Sequence, residues 1–128
     1  PLTVQPRGHF RLRTCSFAPL RLDFAGGTAG TPFARQDGLK LVTHCRDNAR
    51  AEELVLREYL AYRAQALVGP PGHRVRLARV RYVEARDPAQ ADTARAMAER
   101  LAFFLESDGD MAARLGGRAP MQQGALFD

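Results

Sequence analysis

A long helix with a defined start and a defined end is the strongest structural signal in the sequence. Asp47-Asn48 supplies a helix N-cap, and the acidic residues Glu52 and Glu53 follow in the first turns, where they suit the helix dipole. Gly69-Pro70-Pro71-Gly72 stops the helix, which is therefore predicted over about residues 49–68. Because apolar residues cover most of its circumference, we expect this helix to be wedged between other elements.

Alternating apolar and polar residues predict short strands on both sides of this helix. The strands before it are expected at 10–13, 20–24 and 39–43, and those after it at 73–85 and 101–106. In the fourth of these segments the alternation changes phase at Ala78-Arg79, which predicts a β-bulge or a sharp bend. Two further short helices are expected, one between Asp87-Pro88 and Leu101 and one over 108–115, the latter ended by Gly116-Gly117.

The order of these elements predicts an α+β fold in which an antiparallel β-sheet packs against one long helix. The chain has 128 residues, enough for one modest core. We assign residues 1–117 to a single domain and residues 118–128 to an irregular tail or to the start of a following domain. No clear closing element ends the pattern, so we expect the sequence to be part of a longer protein.

One lysine stands out in a basic chain. Lysine and arginine total 19, and Lys40 is the only lysine among them. A high-GC genome accounts for the excess of arginine, and the single lysine is then either chance or a site that needs a compact, mobile ammonium group. The net charge of +5 suits an anionic partner such as nucleic acid, a nucleotide or an acidic membrane face.

Glu58 is the second unusual residue, because it lies among apolar neighbours on the predicted helix. The residues three and four positions away are all apolar: Leu54, Val55, Ala61 and Tyr62. Its carboxylate must be paired with a cation, protonated, or bent out to solvent at the edge of this face. The cation we favour is Lys40, on the strand just before the helix. A strand lysine held by a helix carboxylate is the arrangement that fixes an ammonium group against nucleotide phosphates.

Four segments together resemble the N-terminal part of CotH-type proteins, which are spore-coat-like proteins with an atypical protein-kinase fold. The segments are Leu39-Lys40-Leu41, the helix sequence at 56–62, the strand at 75–80 and Phe104-Leu105-Glu106. The similarity runs from about residue 39 to residue 115, with kinase-like spacing between the lysine and the helix glutamate. It implies the small lobe of a kinase, which is an antiparallel sheet with one helix followed by a hinge segment.

The resemblance also implies a function for individual residues. Lys40 would contact the phosphates of ATP bound with Mg²⁺, and Glu58 would hold Lys40. Glu106 and Ser107 would lie near the hinge strand, where the adenine docks. The parent protein would then be a kinase that acts on a protein or cell-surface substrate.

Two departures from the kinase pattern limit what this chain can do. The loop Gly26-Gly27-Thr28-Ala29-Gly30 does not follow the GxGxxG pattern of a kinase glycine loop. The sequence also contains neither an HRD nor a DFG motif, which in kinases supply the catalytic and metal-binding aspartates. We therefore assign no catalytic residue to this chain and expect no phosphotransfer from it alone.

The competing prediction is a non-catalytic anion-binding or structural assembly module. An arginine-rich sheet face would carry it, formed by Arg74, Arg76, Arg79 and Arg81. The same pattern also arises on a solvated sheet face in an arginine-rich proteome. No exposed aromatic residues interleave with these arginines, which argues against nucleic acid as the partner.

The cysteines leave the cellular location open. Cys15 and Cys45 have no CxxC spacing, and the three histidines form no ligand cluster, so we predict no metal site. A Cys15–Cys45 disulfide would place the protein in the bacterial cell envelope or outside the cell, whereas two reduced thiols would suit the cytoplasm. No apolar run approaches the roughly 18 residues of a membrane helix, so no transmembrane segment is predicted.

Overall fold

Five antiparallel strands form the main sheet of this protein, in the order Leu2–Pro6, Leu20–Phe24, Gly38–Val42, Arg100–Glu106 and Val75–Val80. The structure is a computed structural model that describes residues 2–34, 36–84, 95–96 and 99–117. Its strands are β1 (Leu2–Pro6), β2 (Leu20–Phe24), β3 (Gly38–Val42), β4 (Val75–Val80), β5 (Val83–Glu84), β6 (Arg95–Ala96) and β7 (Arg100–Glu106). Its helices are α1 (His9–Thr14), α2 (Ala49–Val68) and α3 (Asp108–Arg114). The predicted α+β class with an antiparallel sheet is confirmed.

Strand β7 lies between β3 and β4, although it comes last of the strands in the sequence. It pairs with β3 from Leu39↔Glu106 to Val42↔Phe103, and with β4 from Val75↔Leu105 to Val80↔Arg100. A strand with neighbours on both sides is shielded from water, and Ala102 and Phe103 of β7 are 0% exposed. Among the residues that the structure describes, the two short strands β5 and β6 pair only with each other.

The two faces of the main sheet bury different sets of residues. On the face that α2 covers, here called the helix face, Val42, Phe103 and Leu105 pack against Val55 of α2. On the other side, the outer face, the buried residues are Leu22, Leu41 and Ala102. Residues paired across neighbouring strands share a face, so the register assigns every strand position to one of the two.

Helix α2 has the predicted bounds, but its surroundings differ from the prediction. Its N-cap is Asn48, whose side chain accepts a hydrogen bond from the Ala51 N–H at 2.9 Å, and Gly69 caps its C-terminus. Of its side chains only Ala51 and Val55 are buried, whereas Leu60 is 60% exposed. The expectation of a wedged helix is therefore wrong, because within the described residues only one side of α2 packs on the sheet.

Three expectations for the other elements are also wrong. Residues 9–14 form helix α1 in place of a strand, and Phe10 is 71% exposed, so the alternation there marks no buried face. The pairing of β4 with β7 is unbroken through Ala78-Arg79, and the strand ends after Val80 instead. The phase changes because β4 contributes to both cores: Val75 packs on the helix face and Val80 on the outer face. Of the helix expected before Leu101, the described residues Arg95–Ala96 form strand β6, and most of the remainder lies outside the described residues.

A disulfide joins Cys15 to Cys45, with the two Cα atoms 4.6 Å apart. It connects the residue after α1 to the loop between β3 and α2. The Phe17 N–H donates a backbone hydrogen bond to the Cys45 carbonyl at 3.2 Å, which adds to the same connection. The pairing agrees with the exported alternative, and the location itself stays a prediction. Among the described helices, none combines the length and the apolar character that crossing a membrane requires.

We predict that the Cys15→Ser/Cys45→Ser double variant is less stable than the native protein by about 3 to 4 kcal/mol. The disulfide closes a loop with a sequence separation of 30 residues, and opening it returns conformational entropy to the unfolded chain. Urea unfolding followed by circular dichroism measures the difference. Under reducing conditions the native protein should unfold at the same urea concentration as the variant, and a persistent difference there would contradict the explanation.

Candidate functional site

Lys40 lies on the helix face of β3, the strand between β2 and β7. On β3 it is directly opposite Arg21 of β2 and Leu105 of β7. Its side chain is 19% exposed, and its Nζ donates a hydrogen bond to Oδ1 of Asp108 at 2.5 Å. The only lysine of the chain is thus a half-buried ammonium group held by a carboxylate.

Asp108 is the first residue of α3, which starts directly after β7. The preceding Ser107 is the N-cap of this helix, with its Oγ accepting a hydrogen bond from the Asp110 N–H at 3.1 Å. The same Asp108 oxygen also lies 3.3 Å from Nε2 of His73. The hydrogen bond from Lys40 is the main reason that the pKa of Asp108 is lowered from its usual value.

Glu58 does not make the expected contact with Lys40. Its Oε2 lies 3.5 Å from Nη2 of Arg11 on α1, while Lys40 binds Asp108. The reason lies in the chain order, since Asp108 follows the strand that pairs with β3 and reaches Lys40 from there. Glu58 still belongs to the same electrostatic environment, because both it and Asp108 contribute, after burial, to raising the pKa of Tyr62.

Arg7 is a member of this group that the sequence did not reveal. Its side chain is half-buried, and burial is the main cause that lowers its pKa, while Asp108 and Glu58 act in the opposite direction. No periodic pattern pointed to it or to Arg11. Arg7 follows the last residue of β1, and Arg11 lies on α1, where the sequence predicted a strand. We call Arg7, Arg11, Lys40, Glu58, His73 and Asp108 the Lys40 cluster.

Glu106 and Ser107, expected near the adenine, have structural partners in the protein itself. Glu106 is 8% exposed and accepts hydrogen bonds from Arg114 Nε at 2.9 Å, Arg114 Nη2 at 2.7 Å and the Arg74 N–H at 3.0 Å. It is paired with Leu39, which places it on the outer face, away from Lys40. There it lines a cavity of about 170 Å³ together with Phe33, Leu39 and Phe104.

The four arginines of the competing prediction do not share one face. Within β4, Arg76 is paired with Phe104 and Arg79 with Leu101. The two arginines are three positions apart, an odd number, so their side chains leave opposite faces of the sheet. Arg74 and Arg81 flank this strand and are exposed. Arg79 also binds Glu99 at 3.2 Å. The structure therefore divides the proposed arginine face between the two sides of an edge strand.

His44 and Cys45, which are adjacent in the sequence and of types that can bind metals, have other contacts. Cys45 is in the disulfide, and His44 is 1% exposed beside the ring of Phe17, at a centroid distance of 4.8 Å. Burial lowers the pKa of His44 and favours its neutral form. Within the part of the chain that the structure describes, no three His, Cys, Asp or Glu side chains come together in a way that could hold a metal ion.

Comparison of the chain with protein-family models, with curated proteins and with solved structures found no significant match in any of the three.

We predict that Glu106→Gln lowers the free energy of unfolding by about 1 to 2 kcal/mol at pH 7, because the bonds to Arg114 and to the Arg74 N–H lose their charge assistance. The hydrogen bonds from Arg114 are the main cause that lowers the pKa of Glu106 in the folded protein below its usual 4.5. Its contribution is therefore complete above about pH 4.5 and is lost as the pH falls further. Urea unfolding at a series of pH values measures both effects.

A matched control is Glu53→Gln, which removes a carboxylate that is 57% exposed and paired only with Arg57. This variant should keep the stability of the native protein within a few tenths of a kcal/mol. If Glu106→Gln lost no more stability than this control, the assignment of Glu106 as a structural anchor would be wrong.

Proposed function

We propose that this chain binds the phosphates of ATP through Lys40, as the small lobe of a CotH-like atypical kinase whose remaining elements lie in a longer protein. The observation that carries the proposal is the position of Lys40. It is a half-buried ammonium group on the helix face, on the strand before α2, and its present partner is a single carboxylate of α3. A phosphate oxygen is the ligand that replaces such a carboxylate most directly.

The arrangement of charges across the strands supports an anionic ligand on this side of the sheet. Arg21 and Lys40 are directly opposite each other on β2 and β3, and like charges in that position repel. Asp23 draws the Arg21 side chain away, with Nε and Oδ1 2.8 Å apart. Arg7 and Arg11 add positive charge from the neighbouring β1–β2 connection. A ligand with several negative charges would relieve this repulsion.

Glu58 has a defined role in the proposed complex. It lies on α2 and shares Tyr62 and Arg7 as electrostatic neighbours with Asp108, the partner of Lys40. If a phosphate takes the place of Asp108, Glu58 is the nearby helix carboxylate that would orient Lys40, with Arg11 as its present counter-ion. The kinase resemblance assigns the same role to this residue.

The proposed activity of this chain is binding, not transfer. The motifs that supply a catalytic base and a metal-binding aspartate in kinases are absent from the sequence. The substrate that a full-length kinase would phosphorylate, a protein or a cell-surface molecule, would have to be recognised by other parts of that protein. The arginine-face alternative has no comparable support, because β4 separates its members.

We expect the chain to bind ATP–Mg²⁺ and Lys40→Ala to weaken that binding by about 10- to 100-fold. The factor corresponds to the loss of a charge-assisted hydrogen bond to phosphate. Isothermal titration calorimetry at low and at moderate salt measures the affinity. Glu58→Gln should weaken binding less than Lys40→Ala does, because it acts only by orienting the ammonium group.

The matched control is Arg57→Ala, which removes one positive charge from an exposed position on α2 where the side chain is 70% exposed. It should bind ATP–Mg²⁺ as the unsubstituted chain does. Equal losses in Lys40→Ala and Arg57→Ala would mean that only net charge matters, and the proposal would then fail. No binding by the unsubstituted chain would also refute it.

A further inference from the structure

Arg7 lies on the same side of the sheet as Lys40. Gln5 of β1 is paired with Arg21 of β2, which is paired with Lys40 of β3, so these three residues form a row on the helix face. Arg7 follows Gln5 by two positions, and its N–H donates to the Pro19 carbonyl at 2.8 Å, which continues the pairing of the two chain segments beyond β1. Its side chain therefore leaves the backbone toward the helix face, where burial and the neighbouring charges also locate it.

The direct contacts within the Lys40 cluster leave Arg7 without an acceptor. Oδ1 of Asp108 accepts a hydrogen bond from Lys40 Nζ at 2.5 Å and lies 3.3 Å from His73 Nε2. Oε2 of Glu58 lies 3.5 Å from Arg11 Nη2. Among the residues that the structure describes, the Arg7 side chain makes no hydrogen bond and no ion pair. A guanidinium group has five N–H donors and remains charged in proteins, so a half-buried one with unused donors has the capacity to bind an anion.

We propose that Arg7 and Lys40 together bind the phosphate chain of a polyphosphate ligand, and that the carboxylate of Asp108 occupies Lys40 when this ligand is absent. The inference rests on the proposed function and adds a second binding residue and a competing group to it. The ligand class is set by the two cations: Arg7 follows β1 and Lys40 lies on β3, and the Asp108 carboxylate that binds Lys40 makes no hydrogen bond or ion pair with Arg7. A di- or triphosphate offers oxygens to both.

The exposed fractions of Asp108 and Lys40 indicate which of the two side chains moves when the ligand binds. The Asp108 side chain is 51% exposed, whereas Lys40 is 19% exposed. Asp108 can therefore turn into water with little loss, while the ammonium group stays on the sheet and needs another acceptor. The two cationic groups also differ in geometry. The planar guanidinium of Arg7 can donate to two oxygens of one phosphate, and the ammonium of Lys40 is a point charge that can bind the neighbouring phosphate.

The test measures the affinities of the 128-residue chain for ATP–Mg²⁺ and for inorganic tripolyphosphate by calorimetry. Arg7→Gln should weaken both by at least about tenfold, because a charge-assisted hydrogen bond to phosphate is lost. Arg7→Lys should weaken both less. Asp108→Asn should strengthen both by up to about fivefold, because the competing ion pair of a largely exposed carboxylate is removed.

Two controls separate the site from general charge effects. Arg13→Gln removes an exposed arginine from α1, and Glu53→Gln removes an exposed carboxylate from α2. Both should bind the two ligands as the unsubstituted chain does. Circular dichroism of each variant should match that of the unsubstituted chain, and Arg7→Lys keeps the test decisive if Arg7→Gln fails to fold.

Each contrary outcome points to a different error. Unchanged binding by Arg7→Gln together with lost binding by Lys40→Ala would overturn the role of Arg7 and leave the proposed function intact. Weaker binding by Asp108→Asn would show that Asp108 positions Lys40 and does not compete with the ligand. A loss in Arg7→Gln that affects ATP but not tripolyphosphate would place Arg7 away from the phosphates. Unchanged binding by Lys40→Ala would overturn both proposals.

Discussion

The insertion of β7 between β3 and β4 is the constraint on which the rest of this structure depends. Without it, β4 would have no partner in the sheet, and the helix face would lack Phe103 and Leu105, which pack around Val55 of α2. Burial of a phenylalanine contributes about 2 to 3 kcal/mol, and Phe103 is fully buried between the two tyrosine rings of α2, Tyr59 and Tyr62. The strand also sets the start of α3, because Asp108 follows directly after its end. One strand therefore positions both the core and the partner of Lys40.

The charged side chains of the Lys40 cluster differ in exposure, from 19% for Lys40 to 51% for Asp108. Ion pairs on an exposed surface contribute little to stability and leave each side chain free to move. Here the acidic and basic residues come from six separate segments, and they converge beside a tyrosine whose pKa is raised by burial first of all. Carboxylates satisfy most of the cations, and Arg7 has none in direct contact among the described residues. This incomplete balance is one of the observations on which our proposal of an anionic ligand rests.

The sequence predicted local elements well wherever their ends carry a chemical signal. Asn48 and Gly69 set the bounds of α2, and Ser107 sets the start of α3, because capping depends on neighbouring residues alone. Alternation alone predicted β2 correctly at 20–24 but failed at Phe10, since alternating residues do not show whether a neighbouring strand is there to pair with them. The exposure of Leu77 likewise depends on β4 being an edge strand, which no local pattern reveals.

The site was predictable only in part, for a related reason. The unusual residues Lys40 and Glu58 were identified from composition and helical spacing, and the structure places both in one charged neighbourhood. Their actual partners, Asp108 and Arg11, come from segments 68 and 47 residues away in sequence. Contacts at that separation follow from the strand order, because β7 brings α3 back to β3. A single sequence carries no signal for such a long-range choice between two carboxylates.

The disulfide has a consequence for the order in which the chain can fold. The loop closed by Cys15 and Cys45 contains all of β2 and β3, two strands that are neighbours in the sheet. Once the bond forms, these strands are confined within a short covalent ring, so their search for one another is restricted before β7 has been inserted. The pairing of β2 with β3, the strands that carry Arg21 and Lys40, then costs less conformational entropy than the pairing of the other strands. Oxidation would thus pre-assemble the two strands that carry Arg21 and Lys40, and α3, a later element, would bring Asp108 to Lys40.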